Sequence, residues 1–494
     1  MGKGALHSYK KKWASGESMK HDRPKHKMNI GMLNRHTSEM TPQDQRRFFA
    51  NENGDPLHAA FNRKSAVHPG ARGRPLAPEG IGKVWSQVMA TEGKKEKRSV
   101  YFHIPFCETR CLYCGFYLNP FKAGEEENRY VDYLVRELEM VADATFIKSR
   151  PFHAVYLGGG TPTALSAENL LRLLKAIQKH LPLANDCEIT VEGRPYHFSD
   201  DKVFACIEGG VNRFSIGVQS FDTQVRRAMG RIETGEKVAE RLKYIDNLDQ
   251  TAMVIDLIYG LPYQTMEIWE NDVRKYIELG LDGVDLYQLN IFKKGKLEEA
   301  VEKKAIALPA DIRMQADMFA RGVEIMKRAR YKRLSMSHWG RTTRERNIYN
   351  ALALSGKVCV PFGSGAGGWV DGYFFFQDNR LDGYYRRMDE GNKPIAMSMK
   401  QPENNDLFRD LAGQMELGRC HLKELGARYG FKLEKIFLPL LEQWERVGLI
   451  KVNDGWMELT LAGEFWQVNL CQALIDYFTL VVEKRPAGPG MMGL

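Results

Sequence analysis

From Val100 to about residue 330 the chain repeats one unit: a short apolar run with strand character, then a polar amphipathic stretch with helical period. The first run, Val100-Tyr101-Phe102-His103-Ile104, stops at Pro105. Helical spacing follows from Arg129 to about Asp143, with Tyr130, Leu134, Leu138 and Val141 on one face. Ala154 to Leu157 is the next strand, closed by the turn Gly158-Gly159-Gly160. Ser166 caps a helix from Ala167 to His180 that buries Leu170, Leu174 and Ile177. Glu188 to Val191, Arg213 to Val218, Met253 to Ile258 and Gly283 to Leu289 supply further strands. This alternation predicts an α/β fold with a parallel sheet and helices outside it. Six such units would close roughly three quarters of an eight-stranded barrel, giving a partial (β/α)6 barrel.

The flanks read differently. Residues 1–98 are rich in Gly, Pro, Lys and Asn and lack sustained periodicity, so they are read as an irregular extension. They hold 20 Lys and Arg against 9 Asp and Glu, while the remaining residues hold 51 against 53, so the whole +9 excess sits in this arm. His7, His21, His26, His36, His58 and His68, half of all the histidines, lie there too. Such an arm suits an acidic ligand or nucleic acid, or is simply a solvated extension. Past residue 330 the alternation weakens. A Gly-rich patch, Gly363-Ser364-Gly365-Ala366-Gly367-Gly368, leads into aromatic-rich sequence through Tyr385. After Pro402 helices return, and Leu449 to Val452 with Met457 to Thr460 read as a two-stranded wing. The expected partition is a basic extension over 1–98, a core over 99–330, a connecting Gly- and aromatic-rich segment over 331–400, and a winged-helix-like module over 401–494.

Eight cysteines in 494 residues are too few for a disulfide scaffold, yet three fall within eight residues, which points to metal. No apolar run is long enough to span a membrane and no secretory leader is visible, so the cytoplasm is the expected compartment. In Cys107-Glu108-Thr109-Arg110-Cys111-Leu112-Tyr113-Cys114 the spacing is x3 then x2, directly after the first strand. Three thiolates hold three irons of a 4Fe-4S cubane, and without a fourth cysteine nearby one iron stays open for a ligand. The competing readings are a zinc site, which lacks its fourth ligand, and three cysteines that merely pack in a core.

The run from Tyr101 through Cys114 resembles the radical SAM superfamily, on the branch of oxygen-independent coproporphyrinogen dehydrogenase. The resemblance implies that Cys107, Cys111 and Cys114 carry the cluster and that the open iron binds the amino and carboxylate groups of S-adenosylmethionine (SAM), which is cleaved reductively. Tyr101 belongs to the same cofactor-binding motif. Gly158-Gly159-Gly160-Thr161-Pro162 resembles the branch's glycine turn beside the SAM amino group, where the missing side chains permit close approach. Glu192 resembles its carboxylate for the ribose hydroxyls, while Gln219, Arg231 and Asp256 match residues that help to hold SAM, of which two molecules are implied.

Within that branch the chain has its own pattern. Coproporphyrinogen dehydrogenases carry a further cysteine where Phe116 stands, and Glu192-Gly193-Arg194-Pro195 departs from the acidic or Asn-containing version common elsewhere. Arg346-Asn347-Ile348-Tyr349 lacks the histidine that heme chaperones carry in the comparable place. Cys114-Gly115-Phe116-Tyr117, Ser337-His338-Trp339, Arg344-Glu345-Arg346-Asn347 and the Gly-rich patch resemble the heme-utilization radical SAM proteins, the heme anaerobilin synthases. The resemblance implies oxygen-independent methylation and opening of heme to a linear tetrapyrrole, with release of iron. The alternatives are coproporphyrinogen III dehydrogenation and non-enzymatic heme binding or delivery. Implied partners are heme and an electron donor such as flavodoxin, ferredoxin or a reduced nicotinamide system, with no nucleic acid, no membrane and a monomeric state. His338 beside Trp339 offers a candidate iron ligand next to a stacking surface.

Overall fold

The computed structural model describes residues 40–65, 69–71, 73–115, 119–120 and 124–484. His7, His21, His26, His36 and His68 of the basic arm lie outside these residues, as do Phe116 and Tyr117.

The predicted parallel sheet is present. Its strands are β1 (Ser99–Ile104), β2 (Phe152–Gly159), β3 (Leu183–Gly193), β4 (Arg213–Gln219), β5 (Ala252–Tyr259) and β6 (Gly283–Gln288), hydrogen-bonded in that order and all parallel. Their runs of Val, Ile, Leu and Phe are buried on both faces, as a sheet covered by helices requires. The sheet continues past both ends of the six. At one edge β7 (His338–Gly340) pairs antiparallel with β6, and at the other β8 (Cys359–Phe362) pairs parallel with β1.

Helix Ala167–His180 has the expected cap, the Ser166 side chain accepting from Asn169 N at 3.3 Å. The preceding helix begins earlier than its apolar stripe suggests, at Glu125, because Glu125, Glu126 and Glu127 favour a first turn through the helix dipole. Glu127 also accepts from Ser166 N and Asn169 Nδ2, both at 2.6 Å, joining the ends of the two helices.

A second sheet contains β9 (Gly367–Val370), β10 (Tyr373–Gln377) and β11 (Ile395–Lys400), with Arg74–Pro75 added at its edge against β11. Near the C-terminal end, β12 (Arg419–His421), β13 (Ile450–Asn453) and β14 (Trp456–Leu459) make an antiparallel sheet, so the expected two-stranded wing has a third strand.

The reading of residues 1–98 as irregular fails at three segments among the described residues. Helices form at Pro42–Phe48, Pro56–Ala59 and Pro78–Met89, each with Pro at its first turn. The first two lean on the C-terminal helices rather than on each other. Trp444 Nε1 donates to Phe48 O and Trp466 Nε1 to Pro56 O, both at 3.0 Å. Gln443 exchanges hydrogen bonds with the Ala50 backbone, and Phe48 meets Tyr477 edge-on. His58 is held by Asp317 at 2.7 Å, so it is not part of a free basic tail.

Candidate active site

The cysteine loop begins where β1 ends. Cys107 and Cys111 are buried and Cys114 is half-buried; none of the eight cysteines forms a disulfide. The loop is fixed from below by the segment after β4: Leu112 N donates to Met229 O, and Arg231 Nη2 to Tyr113 Oη at 2.6 Å. Burial pushes the Cys107 thiol up, while the Arg194 guanidinium and the Thr161 hydroxyl oppose it. Among the described residues no three His, Cys, Asp or Glu side chains converge closely enough to hold a single metal ion. A mononuclear zinc site needs its thiolates about 2.3 Å from one ion, whereas a cubane takes each thiolate on a different iron and spreads them. Three thiols on one loop, two of them buried, are a donor set that a cubane can use.

Beside this loop stands the glycine turn at the end of β2. A Cβ on Gly160 would lie 2.4 Å from Phe106 O, and one on Gly158 would lie 2.8 Å from Glu192 Oε2. Gly159 has φ of 110°, which a side chain rarely allows. Bare backbone is thus packed between the cysteine loop and Glu192. That carboxylate accepts from Tyr156 Oη at 2.6 Å and from Gly159 N at 3.1 Å. Burial raises its pKa, and these donors together with Arg213 pull the other way. Tyr101, on β1, stacks on Tyr156 at 6.3 Å and bonds to His103 Nδ1 at 2.9 Å. Thr161, next in the turn, reaches Cys107 Sγ at 3.2 Å.

Gln219 and Arg231 meet over Gly217, whose Cβ would fall 2.9 Å from Gln219 Nε2 and 3.3 Å from Arg231 Nη2. Gln219 holds φ of 74°, at a register irregularity in β4. A non-glycine residue in this region stores strain of about 1–3 kcal/mol and points to a functional constraint. Both side chains are at least nine-tenths buried, yet Gln219 Oε1 and Arg231 Nε have no hydrogen-bond partner among the described residues. Buried groups of this kind are met by a ligand or by ordered water. A carboxylate could accept from Arg231 Nε, and an ammonium could donate to Gln219 Oε1.

Asp256 belongs to a row crossing the sheet, since Gly217, Asp256, Asp285 and His338 are register neighbours on β4, β5, β6 and β7. Burial, Asp285 and Glu192 push the Asp256 carboxyl up to about 7, against Arg213 and His338. His338 is 1% exposed. Its Nδ1 lies 2.7 Å from Asp285 Oδ2 and its Nε2 lies 3.2 Å from Glu345 Oε1. Arg213 Nε completes the chain, 3.0 Å from Glu345 Oε2. The expectation that His338 offers an iron ligand is therefore corrected: both ring nitrogens are taken by carboxylates. Trp339, also 1% exposed, is core and offers no stacking surface.

The structure thus gathers the glycine turn, Glu192, Gln219, Arg231 and Thr161 around the cysteine loop, with Asp256 and Tyr101 deeper among the strands. The radical SAM superfamily is recognised over residues 101–276. The anaerobilin synthase of Escherichia coli O157:H7 is 39% identical over 89% of this chain and 95% of its own length. The chain belongs to the radical SAM superfamily, on the branch of that synthase. A heme chaperone, HemW of Lactococcus lactis, is 32% identical over 56% of the chain and 71% of its own length. The coproporphyrinogen III oxidase HemN of Escherichia coli superposes with a TM-score of 0.70 at 22% identity, covering 80% of this chain and 93% of HemN, and shares the fold.

Sequence reasoning missed two features of this radical SAM site. One is the buried chain Asp285, His338, Glu345 and Arg213, whose members come from distant segments. The other is the hold of Arg194 on the cysteine loop, for which the only signal was an unusual residue two places after Glu192.

Proposed function

We propose that this protein opens heme without oxygen, by radical SAM methylation of the porphyrin, yielding a linear tetrapyrrole of the anaerobilin class and free iron. The observation that carries the reading is the convergence on a three-thiol loop of the glycine turn, Glu192, and Gln219 and Arg231 atoms that lack a partner among the described residues. The choice of heme rests on the 39% identity to the anaerobilin synthase. When bound, the cluster and SAM supply a reductively generated adenosyl radical, and a second SAM supplies the methyl group.

The residues divide the work. Cys107, Cys111 and Cys114 would hold the cluster, and its open position would be free to take the methionine end of SAM. Arg231 would take its carboxylate, while the Gly158–Gly160 backbone and Gln219 Oε1 are the acceptors offered to an ammonium. Glu192 takes the ribose hydroxyls, preset by Tyr156 and Gly159 N. Asp256, with its carboxyl near neutrality, is an acceptor or donor deeper in the sheet. Electrons come from a flavodoxin, a ferredoxin or a reduced nicotinamide system, and the protein works in the cytoplasm; among the described residues no helix is long and apolar enough to cross a membrane.

The test is an anaerobic incubation of reduced, reconstituted protein with SAM and heme. The expected outcome is loss of the Soret band, formation of 5′-deoxyadenosine, and an iron-free tetrapyrrole heavier by one methyl group, all abolished in Cys111→Ala. An unchanged Soret band with little 5′-deoxyadenosine would instead indicate heme delivery. Release of carbon dioxide from coproporphyrinogen with the ring intact would indicate the dehydrogenase.

A further inference from the structure

Arg194 stands at the end of β3, two residues after Glu192, and its side chain turns back onto the cysteine loop. Nη1 donates to Thr109 O at 2.9 Å and to Thr109 Oγ1 at 3.1 Å, while Nη2 points at Cys107 Sγ at 3.4 Å. Thr161 Oγ1 approaches the same sulfur at 3.2 Å. The guanidinium is planar and permanently charged, so its fork can grip the loop backbone with one nitrogen and the thiolate with the other. A lysine in that place would be a point charge without the second grip.

We propose that Arg194 is a positioning residue that raises the reduction potential of the cluster held by Cys107, an inference that rests on the cluster assignment above. Reduction adds one negative charge to the cubane. A fixed cation and a hydrogen bond at a ligating sulfur stabilise that added charge, and hydrogen bonds to the sulfurs are among the terms that set such potentials. Because Arg194 is clamped on Thr109, its charge stays at the sulfur in both oxidation states and needs no rearrangement when the electron arrives. Electron, proton and ligand counts are unchanged by the residue; only the equilibrium between oxidised and reduced cluster moves.

The experiment is a redox titration of the full, anaerobically reconstituted chain, followed by EPR without SAM or heme, with iron and sulfide determined for every variant. In Arg194→Gln carrying a full cluster, the ratio of reduced to oxidised cluster at a fixed poise should fall about tenfold, which for one electron is about 59 mV. Arg194→Lys should fall by less, and it carries the measurement if Arg194→Gln fails to assemble a cluster. An unchanged midpoint in the variant that assembles overturns the proposal. So does an unchanged midpoint accompanied by weaker SAM binding, which would move Arg194 to the cofactor. Failure of the unmutated chain to form a cubane overturns the cluster assignment itself and this inference with it.

Discussion

At the scale of single residues, His338 shows how a motif can be conspicuous in sequence and opaque in chemistry. Burial disfavours its imidazolium, but Asp285 and Glu345 overcome that and hold its pKa up at about 9. Burial likewise opposes the Glu345 carboxylate, which Arg213 and His338 pull down to about 2. A histidine raised from 6.5 to about 9 gives stability that is complete below pH 6.5 and lost as pH rises through 9. Asp256, raised from 3.8 to about 7, acts with the same sign over a lower window. The apo protein should therefore lose thermal stability between pH 6.5 and 9.5. In His338→Gln stability at pH 6.5 should be lower by about 3 kcal/mol, because Asp285 and Glu345 lose a buried counter-charge, and the alkaline decline should flatten. Equal slopes of melting temperature against pH in the two proteins would rule this network out as the cause. None of this could be read from the sequence, since His338 stands 53 residues from Asp285, and Arg213 stands 132 from Glu345. Glu192 and the glycine turn stood out in the sequence only through their resemblance to family motifs, because a strand-end carboxylate or a run of glycines alone reads as surface or turn.

At the scale of elements, the six parallel strands and helices such as Ala167–His180 were legible, since each buries a continuous stripe and carries its own capping signals. The helices before residue 90 were not. Pro42–Phe48 and Pro56–Ala59 have seven and four residues, too short for a period to emerge or for a helix to persist alone. Their stability comes from tertiary contact. Phe48 is fully buried against Tyr477, and its own carbonyl takes the Trp444 indole. Arg47 reaches Asp476 on the same C-terminal helix. Phe48→Ala should accordingly cost about 3–5 kcal/mol in urea unfolding, the range for emptying an aromatic site in a core. A loss under about 1 kcal/mol would mean that the segment only rests on the surface.

At the scale of the molecule, chain segments far apart in sequence share sheets. Cys359–Phe362 extends the parallel sheet at β1, and His338–Gly340 extends it at β6, while Arg74–Pro75 joins the second sheet through β11. Between the two sheets lies a buried polar knot. Glu137, from the helix after the cysteine loop, accepts from Lys393 Nζ at 2.5 Å, Tyr384 Oη at 2.7 Å and Gly363 N at 2.9 Å. Glu137 is 0% exposed, and pulling the second-sheet region away from its helix would take Lys393 and Tyr384 from that buried carboxylate, a cost of several kcal/mol. The helices Pro42–Phe48 and Pro56–Ala59 add a strap to the C-terminal helices, and His58 ties that strap to Asp317 on helix Ile312–Arg328 beside the core. Residues 41–484 should therefore unfold as one cooperative unit despite their length. Hydrogen exchange at increasing urea checks this by following amides of β5, β10 and helix Gln467–Val481 together. Merging of their opening free energies at one value is the expected outcome. Exchange of the C-terminal helix at markedly lower urea than β5 would show that strap and knot do not couple the parts.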